Sequence, residues 1–430
     1  MRAGTSDRLL SDEAALSLVT RRSDPPPRRP GGGRRAARPR PLPAGLADGD
    51  AATPMTSTAP PPPHRLAGAA RSLLDPDGRA TLLDRAVRSA RTVRDRVAPR
   101  GAEQRLDDVT RLANLVTAEA AGVAVDLGLF DLLADGPRDA DALAAATGTD
   151  PDALERLCRH LARRGFLAER PATVFALADL GQLLRRDHPS GRAVQFGASA
   201  ARTRMAQALS RLDLAVRTGR PVYETVHGSS LWEQVARDPA VAEGFDAEMT
   251  AHARRLGPHL ATRLDWSSAT RVIDVGGGTG ELLRQLLLHH DHLQGTLVEL
   301  SRAAARARAH LAASEVAGRC EVVESDAFSE LPAGADACVL SWILHDWDDD
   351  HAVAILERCH AALAPGGRVV VVEQPLDLAG NTDLDLRLLV YFGGRERTRH
   401  EYGVLAAEAG LRVLRWTPLT GGFAAAELVG

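Results

Sequence analysis

A histidine and two glutamates have the types and positions expected of a catalytic base with carboxylate partners. His345 follows a predicted strand, and Glu373 ends a run of four valines, where a buried acid needs a partner. Glu396 lies in the segment GGRERT, a loop that can return to the same edge of a sheet. A neutral imidazole removes a proton from a hydroxyl, and a carboxylate orients the ring and stabilises its charged form. These residues therefore predict general-base catalysis by His345.

The same segments allow other interpretations. His345 taken alone is also consistent with a hydrogen-bonded residue that ends a strand, and Glu396 with an ion pair to an arginine beside it. A metal site would combine His345 and His351 with the acids between them. However, Asp348–Asp350 occupy positions typical of a helix cap and first turn, and two histidines six residues apart across a helix start do not share a face. We therefore predict that the chain holds no metal.

A glycine-rich loop with the spacing G-x-G-x-G follows the predicted strand VIDV. Its glycines are Gly276, Gly278 and Gly280, and Glu281 stands where the dinucleotide fingerprint G-x-G-x-x-G has its last glycine. Glycine lets the backbone turn sharply and approach a ligand closely. Asp274, at the end of the strand, can order the loop or meet a cationic amino group, whereas a pyrophosphate gains nothing from it. The loop alone is weak evidence, since such a segment can be a mere turn.

Two further acids follow the next two predicted strands. Glu299 comes about 20 residues after the loop, where a carboxylate can accept both hydroxyls of a ribose. Asp326 is placed to accept a hydrogen bond from an adenine amino group, while Phe328 packs on the ring. Three acids at the ends of successive strands indicate an adenosine without phosphates. They predict S-adenosylmethionine as the cofactor and disfavour a nicotinamide dinucleotide.

The elements that must position these residues alternate between strand and helix after Trp266. The predicted strands are Val272–Val275, Thr296–Leu300, Cys320–Val323, Ala337–Leu340 and Arg368–Val372. The predicted helices between them are Gly280–Leu288, Arg302–Ala313 and Asp349–Ala364. Short apolar strands joined by helices predict an α/β fold with a doubly wound parallel sheet, which binds ligands at the carboxyl ends of its strands.

Residues 106–264 are predicted to form a mostly helical domain that precedes this sheet. Within it, the order helix, turn, helix and hairpin is typical of a winged helix. The second of these helices carries Arg156, Arg159 and Arg163 on one face, which suits either a nucleic acid or a solvated surface. Because the whole chain has a formal charge of −3, we expect the solvated surface and no nucleic-acid partner.

Composition sets the remaining domain limits and the compartment. Residues 1–65 are rich in Pro, Gly and Arg and are predicted to be a disordered leader, residues 66–105 a helical extension, and residues 265–430 the sheet domain. The four cysteines form no CxxC pair, and no apolar run approaches the roughly 20 residues that cross a bilayer. We therefore expect a cytoplasmic protein without a membrane partner.

From about residue 106 to its C-terminus, the chain resembles the plant-type S-adenosylmethionine-dependent O-methyltransferase family, in the branch that also decorates aromatic polyketides in bacteria. The most specific matching segments are VIDVGGGTG, SWILHDWDDDHAVAILERCHAALAPGGRVVVVEQ and GGRERT. The resemblance implies a Rossmann-like methyltransferase domain preceded by a winged-helix-like dimerisation domain, and hence a homodimer. It also implies that His345 is the base and that Glu373 and Glu396 flank it.

The resemblance further implies binding positions. Those that match the family's cofactor contacts are Gly276, Gly278, Gly280, Glu299, Asp326, Ala327, Phe328 and Ser341. Those that match its acceptor pocket are Phe245, Met249 and His252, spaced i, i+4 and i+7 on a predicted helix. Ser341 departs from the plant members, which carry Lys there, and the segment Asp383–Phe392 is expected to be a short substrate loop.

The predicted function is methyl transfer from S-adenosylmethionine to a hydroxyl of a small aromatic secondary metabolite. We expect this hydroxyl to be phenolic. A first alternative keeps the fold and cofactor pocket for another reaction, such as hydroxylation, decarboxylation or cyclisation. A second alternative is a DNA-binding regulator that senses a ligand through its sheet domain.

Overall fold

The computed structural model of the protein describes residues 115–379 and 381–430. The predicted disordered leader, residues 1–65, and the predicted helical extension, residues 66–105, lie outside the described residues. Within the described ranges, no helix combines the length and the apolar character that a membrane crossing needs.

The first described elements are short helices around a small antiparallel sheet. The helices are α1 (Val116–Asp126), α2 (Leu129–Leu132), α3 (Ala140–Thr147), α4 (Pro151–Arg163), α5 (Asp179–Gln182) and α6 (Ala193–Phe196). The strands β1 (Arg138–Asp139), β2 (Leu167–Arg170) and β3 (Val174–Leu177) pair in the order β1-β3-β2. Asp139 and Asp150 begin α3 and α4, because each carboxylate accepts a hydrogen bond from a backbone N–H of the first turn. Helices and hairpin together form the predicted winged-helix-like unit.

Two of the three arginines of α4, Arg156 and Arg159, are paired with acids on the surface of this unit. Arg159 binds Glu155 and lies 3.2 Å from Glu169, while Arg156 lies 3.8 Å from Asp152. Acids on the same face therefore neutralise much of the positive charge that a nucleic-acid backbone would need. The pairing favours the solvated surface expected from the net charge.

Five further helices lead to the large sheet. They are α7 (Ala200–Leu209), α8 (Leu212–Thr218), α9 (Tyr223–His227), α10 (Leu231–Arg237) and α11 (Pro239–Arg263). The last of them, α11, buries Leu256, Leu260 and Ala261 in the core beside the sheet. Its amino-terminal part carries the predicted acceptor residues. One rigid helix thus connects the sheet to the candidate acceptor side.

The large sheet contains seven strands. They are β4 (Arg271–Val275), β5 (Gln294–Glu299), β6 (Cys320–Glu324), β7 (Ala335–Ser341), β8 (Leu363–Glu373), β9 (Arg412–Pro418) and β10 (Ala424–Val429). The helices of this part are α12 (Glu281–His289), α13 (Ser301–Ala312), α14 (Asp349–Ala362), α15 (Leu376–Ala379), α16 (Thr382–Tyr391) and α17 (Arg399–Glu408). Short 3-10 turns span Ala317–Arg319 and Leu344–Asp346.

The strand order is β6-β5-β4-β7-β8-β10-β9, and the first five of these strands run parallel. The predicted doubly wound parallel sheet is confirmed. The chain moves outward from β4 through β5 to β6 and then returns to place β7 on the other side of β4. This reversal opens a crevice at the carboxyl ends of β4 and β7, the usual ligand site of such sheets.

Two parts of this domain differ from the sequence expectations. β10 pairs antiparallel with β8 and β9, and neither β9 nor β10 was predicted. The Ala424–Glu427 segment AAAE has weak strand propensity, and β9 is a half-exposed edge strand without an apolar run. The expected short loop Asp383–Phe392 is mostly the helix α16, because Asn381 caps its start and Leu384 and Leu388 are buried on one face.

The helices before the sheet share a core with α16. Tyr223 and Leu231 pack in one buried cluster with Leu388 and Tyr391. The helical part and the sheet part therefore contact each other through apolar side chains on the acceptor side. The predicted domain boundary between residues 264 and 265 stays a prediction.

Candidate active site

The three predicted catalytic residues meet at one imidazole nitrogen. His345 lies in the turn after β7, and its Nδ1 is 2.9 Å from Glu396 Oε1 and 3.3 Å from Glu373 Oε2. All three side chains are buried. Glu373 ends β8, and its other oxygen, Oε1, accepts a hydrogen bond from the backbone N–H of Leu344 at 3.0 Å. Two carboxylates therefore hold the ring from behind, and Nε2 is the nitrogen on its other side.

The alternative ion pair for Glu396 does not form. Arg395 instead binds Glu401 at 2.7 Å, and Arg397 binds Asp349 at 2.7 Å. Both arginines therefore have other acidic partners. The glycine loop before them passes close to the backbone of His345. A Cβ on Gly394 would lie 2.1 Å from the carbonyl oxygen of His345. Only glycine therefore allows this approach.

The charge state of His345 is set by its acidic surroundings. Burial lowers its pKa, but Glu373, Asp346 and Glu396 outweigh burial and raise the pKa to about 10. Burial raises the pKa of Glu373 to about 8. The cluster therefore titrates as a unit and favours the imidazolium at neutral pH in the protein alone. This differs from the neutral ring expected from the sequence, which does not show that both glutamates reach the same nitrogen.

The same cluster has the spacing of a metal site. One ligand atom from each of His345, Glu373 and Glu396 lies within 4.8 Å of the others. The nitrogen nearest both glutamates is Nδ1, which makes the hydrogen bond to Glu396. The expectation that the chain holds no metal stays a prediction.

The predicted glycine loop has the backbone that its glycines allow. Gly276, Gly278 and Gly280 have φ angles of 72°, 60° and 78°, which are left-handed values that side chains disfavour. A Cβ on Gly276 would lie 2.7 Å from the side chain of Ile343. Gly280 also forms the N-cap of α12. The loop therefore turns tightly at the carboxyl end of β4.

Two buried carboxylates lie beside this loop. Asp274 is 1% exposed, and neither of its oxygens makes a hydrogen bond among the described residues. Glu299 accepts hydrogen bonds from the backbone N–H groups of Gly278 at 2.9 Å and Leu300 at 2.8 Å. Burial, with the charge of Glu299, raises the pKa of Asp274 to about 7, and burial raises the pKa of Glu299 to about 7. A cation would satisfy these carboxylates.

The third predicted acid has a structural contact as well. Asp326 Oδ1 accepts hydrogen bonds from the backbone N–H groups of Phe328 at 2.9 Å and Ser329 at 2.7 Å. Phe328 lies edge-on to Trp347, with ring centroids 4.7 Å apart. Ala327 between them and Ser341 at the end of β7 are half-buried. All four predicted residues of this group follow or end parallel strands at the same edge of the sheet.

The predicted acceptor residues follow one face of α11. The ring centroids of His252 and Trp342 are 4.2 Å apart, and those of Trp342 and His345 are 5.5 Å apart. Phe245, nearly two turns earlier, instead lies edge-on to Trp232 at 5.6 Å. Met249 is half-buried between them along the helix. The structure therefore brings His252 close to the catalytic cluster and places Phe245 farther along the aromatic wall.

Comparison with known proteins identifies relatives over this whole region. An O-methyltransferase domain model matches residues 209–412, and an O-methyltransferase dimerisation domain model matches residues 111–187. A 2,7-dihydroxy-5-methyl-1-naphthoate 7-O-methyltransferase of Streptomyces carzinostaticus is 40% identical, over 72% of this chain and 93% of that protein. An aclacinomycin 10-hydroxylase of Streptomyces purpurascens is also 40% identical, over 72% of this chain and 85% of that protein.

A solved O-methyltransferase structure is also similar to this chain. It is the crystal structure of an O-methyltransferase from neocarzinostatin biosynthesis, in complex with S-adenosylmethionine and 2-hydroxy-5-methyl naphthoic acid. It is 39% identical to this chain, with a TM-score of 0.66, and covers 74% of this chain and 98% of its own.

Sequence reasoning missed two aromatic residues beside the site. Trp342 has a left-handed φ of 58°, which is strained for a bulky residue and common at functional sites. Its ring stacks on Phe423 at 5.4 Å, and Phe423 lies just before β10. The signal available for Trp342 was its position three residues before His345 in the sequence. Phe423 had none, because it reaches the site only through the unpredicted antiparallel strands.

Arg397 is a third residue whose position the sequence did not reveal. Its guanidinium is 1% exposed and donates to the carbonyl oxygens of Leu344 at 2.9 Å and Trp347 at 2.7 Å. It also binds Asp349 at the start of α14. One buried cation therefore ties both ends of the His345 turn to the next helix.

We predict that Arg397→Gln destabilises the protein by about 2–4 kcal/mol, because the carbonyls of Leu344 and Trp347 lose a charged donor in a buried site. The matched control is Arg395→Gln, two residues away, whose half-exposed ion pair with Glu401 contributes at most about 1 kcal/mol. Urea unfolding of both variants measures the difference. Equal losses would show that Arg397 does not hold the turn.

Proposed function

The chain belongs to the S-adenosylmethionine-dependent O-methyltransferase family, and from that premise we propose that it methylates a phenolic hydroxyl of a small aromatic secondary metabolite. The observation that carries this proposal is the buried cluster of His345, Glu373 and Glu396, which lies at the same sheet edge as the glycine loop. A base and a cofactor loop at one edge are what direct transfer to a hydroxyl requires.

The residues at the carboxyl ends of β4, β5 and β6 fit the cofactor. When bound, S-adenosylmethionine supplies a methyl group on a positively charged sulfur. Asp274 offers a buried carboxylate without a hydrogen bond, and Gly278 lies in a loop that a side chain would block or strain. We assign the cofactor contacts to Asp274, Gly276, Gly278, Gly280, Glu299, Asp326, Ala327, Phe328 and Ser341.

In the form of the protein in which His345 has lost its proton, the proton of the acceptor hydroxyl moves to Nε2 of His345. An unperturbed phenol has a pKa of about 10, which matches the raised pKa of His345, about 10. The proton therefore passes between oxygen and nitrogen with little difference in free energy. Glu396 and Glu373 stabilise the imidazolium that results, as the carboxylate of a catalytic triad does. The deprotonated oxygen is the stronger nucleophile.

The acceptor side offers flat aromatic surfaces. Trp342 separates His345 from His252, and Phe423 stacks on Trp342. A planar aromatic acceptor packs well against such rings, because offset and edge-on aromatic contacts are favourable. We assign acceptor contacts to Phe245, Met249 and His252.

A second candidate function is hydroxylation with the same fold. It is favoured by the relative that is named as an aclacinomycin 10-hydroxylase and is 40% identical to this chain. The two reactions leave different products, because methylation adds a CH2 unit and hydroxylation adds an oxygen. Product mass therefore separates the two functions.

We also propose that two copies of this chain form a homodimer through the helical unit. The chain contains a match to the O-methyltransferase dimerisation domain. Val123 on α1, Leu180 on α5 and Leu183 just after it expose large apolar side chains to solvent in the single chain. Apolar side chains grouped on one unit are typical of an association surface.

We predict that wild-type protein gives a CH2 mass gain on a panel of phenols with S-adenosylmethionine, and that His345→Ala lowers turnover by about 10²- to 10⁴-fold. Raising the pH should restore part of this loss, because a phenol ionises unaided near a pH of about 10. Binding of S-adenosylhomocysteine, measured by calorimetry, should stay nearly unchanged. Normal turnover by His345→Ala would remove the base from the mechanism, and an oxygen gain would favour hydroxylation.

We predict that kcat/KM of the wild-type protein rises with pH up to about pH 10, the raised pKa of His345, as this residue loses its proton. The charge of Glu373 raises the pKa of His345. In Glu373→Gln this charge is absent, so the pKa of His345 falls and the rise moves to lower pH. The control Glu408→Gln, on the exposed side of α17, should keep the wild-type profile. A profile that Glu373→Gln leaves in place would contradict the assignment.

We predict that affinity for S-adenosylhomocysteine, which carries an ammonium group, increases as the pH rises through about 7. The pKa of Asp274 and that of Glu299 are both raised to about 7, and a cation favours their ionised forms, so binding releases protons. Asp274→Asn should weaken binding by about 10- to 100-fold and flatten this dependence. Calorimetry in two buffers of different ionisation enthalpy measures the released protons. Affinity independent of pH in the wild type would refute the prediction.

A further inference from the structure

Three arginine side chains lie close enough to His252 for their charges to lower its pKa. Arg255 lies one turn after His252 on α11, Arg192 precedes α6, and Arg387 lies on α16. Arg255 and Arg387 are half-buried. Among residues 115–379 and 381–430, no carboxylate lies within 4.0 Å of any of the three guanidinium groups.

The contacts of His252 place two of these arginines relative to the catalytic cluster. Arg255 Nη2 lies 3.3 Å from His252 Nδ1. On the other side of the ring, His252 Nε2 lies 2.9 Å from Gln195 Nε2, and Gln195 Oε1 accepts a hydrogen bond from Arg192 at 2.7 Å. A short path therefore runs from the arginines through His252 and Trp342 to His345.

The neighbourhood of these arginines has an excess of positive charge. Burial, together with Arg255, Arg192 and Arg387, lowers the pKa of His252 to about 3, so this ring is neutral. The carboxyl of Glu248 is influenced by the charge of Arg387. Its pKa is nevertheless raised, because the carboxyl is buried. Burial and the charge of Arg192 also lower the pKa of Arg255. The lowered pKa values of His252 and Arg255 have the sign expected among cations that lack an anionic partner.

A half-buried arginine without an anion is costly, because a guanidinium stays protonated at every physiological pH. The Nε of Arg255 is buried and makes no hydrogen bond among the described residues. The planar guanidinium fork binds a carboxylate through two parallel hydrogen bonds. The partner that these arginines lack is therefore an anion of carboxylate geometry, supplied by whatever occupies the acceptor side.

We propose that the acceptor is an aromatic hydroxy acid, whose carboxylate is bound by Arg255 and Arg192 while its hydroxyl faces His345. Arg387 adds positive charge to the same side. Trp342 and His252 stand between the two groups, so hydroxyl and carboxylate lie at opposite ends of the acceptor. This assignment rests on the proposed methyl transfer and adds a substrate class to it.

The experiment compares a panel of hydroxynaphthoic acids with their methyl esters, which keep the hydroxyl and lose the charge. In the wild-type protein, we expect kcat/KM for the favoured acid to exceed that for its ester by about 10- to 100-fold. Arg255→Gln should raise KM for the acid by a similar factor, leave kcat nearly unchanged and leave the ester unaffected. Arg255→Lys keeps the charge without the fork and should fall between the two.

One control variant and one further test variant separate this effect from a loss of folding. Arg412→Gln changes an exposed arginine on the edge strand β9 and should leave both acceptors unaffected. Arg192→Gln alters an exposed side chain and should weaken binding of the acid without lowering the melting temperature. Quenching of tryptophan fluorescence measures acid and ester binding directly, so the comparison does not depend on turnover.

The outcomes distinguish the two levels of the assignment. If the wild-type protein binds and methylates the esters as well as the acids, or if Arg255→Gln changes both equally, the carboxylate site is wrong while the proposed function stands. If the acids bind in preference to the esters and no phenol is methylated, the carboxylate site stands and the proposed methyl transfer fails.

Discussion

Two carboxylates share one nitrogen of a buried histidine, and the rest of the site depends on this contact. Glu373 and Glu396 reach His345 Nδ1 from different elements, so the imidazole has one fixed orientation and one face toward the acceptor. The arrangement is stable only because positive and negative charge stay together, since an unpaired charge at this depth would be strongly destabilising. The raised pKa of His345 follows from the same contact.

Backbone geometry explains how these groups meet. The parallel strands β7 and β8 are neighbours, so the turn after one and the last residue of the other lie at the same edge. Glu396 lies in a loop that can approach the backbone of His345 closely because residue 394 is glycine. Arg397 stabilises the turn that contains His345 by donating hydrogen bonds to two of its carbonyl oxygens. Rotation of the ring would break its hydrogen bond to Glu396 and move Nδ1 away from Glu373, which keeps the imidazole oriented before any ligand binds.

Charge is distributed unequally on the two sides of this histidine. The cofactor side holds the carboxylates of Asp274 and Glu299, whose pKa values are raised because burial disfavours their charged forms. The acceptor side holds Arg255 and Arg192 without acids beside them. A cationic methyl donor and an anionic acceptor would each complete one side. Opposite charges on the two ligands would also favour their joint binding, because each lowers the cost of placing the other.

The sequence by itself determined the family, the five parallel strands and the glycine loop. It also predicted His345, Glu373 and Glu396, which the structure brings together. Short apolar strands, glycine spacing and an acid after four valines are local patterns, and local patterns can be read without a fold. Tertiary structure alone decided that both glutamates bind one nitrogen, that Arg397 holds the turn, and that Phe423 and Arg255 lie beside His252 and Trp342. These contacts join residues far apart in the chain, and β9, β10 and α16, which help to create them, gave weak or misleading local signals. Which distant side chains meet depends on how the elements pack, and no spacing along the chain encodes that directly.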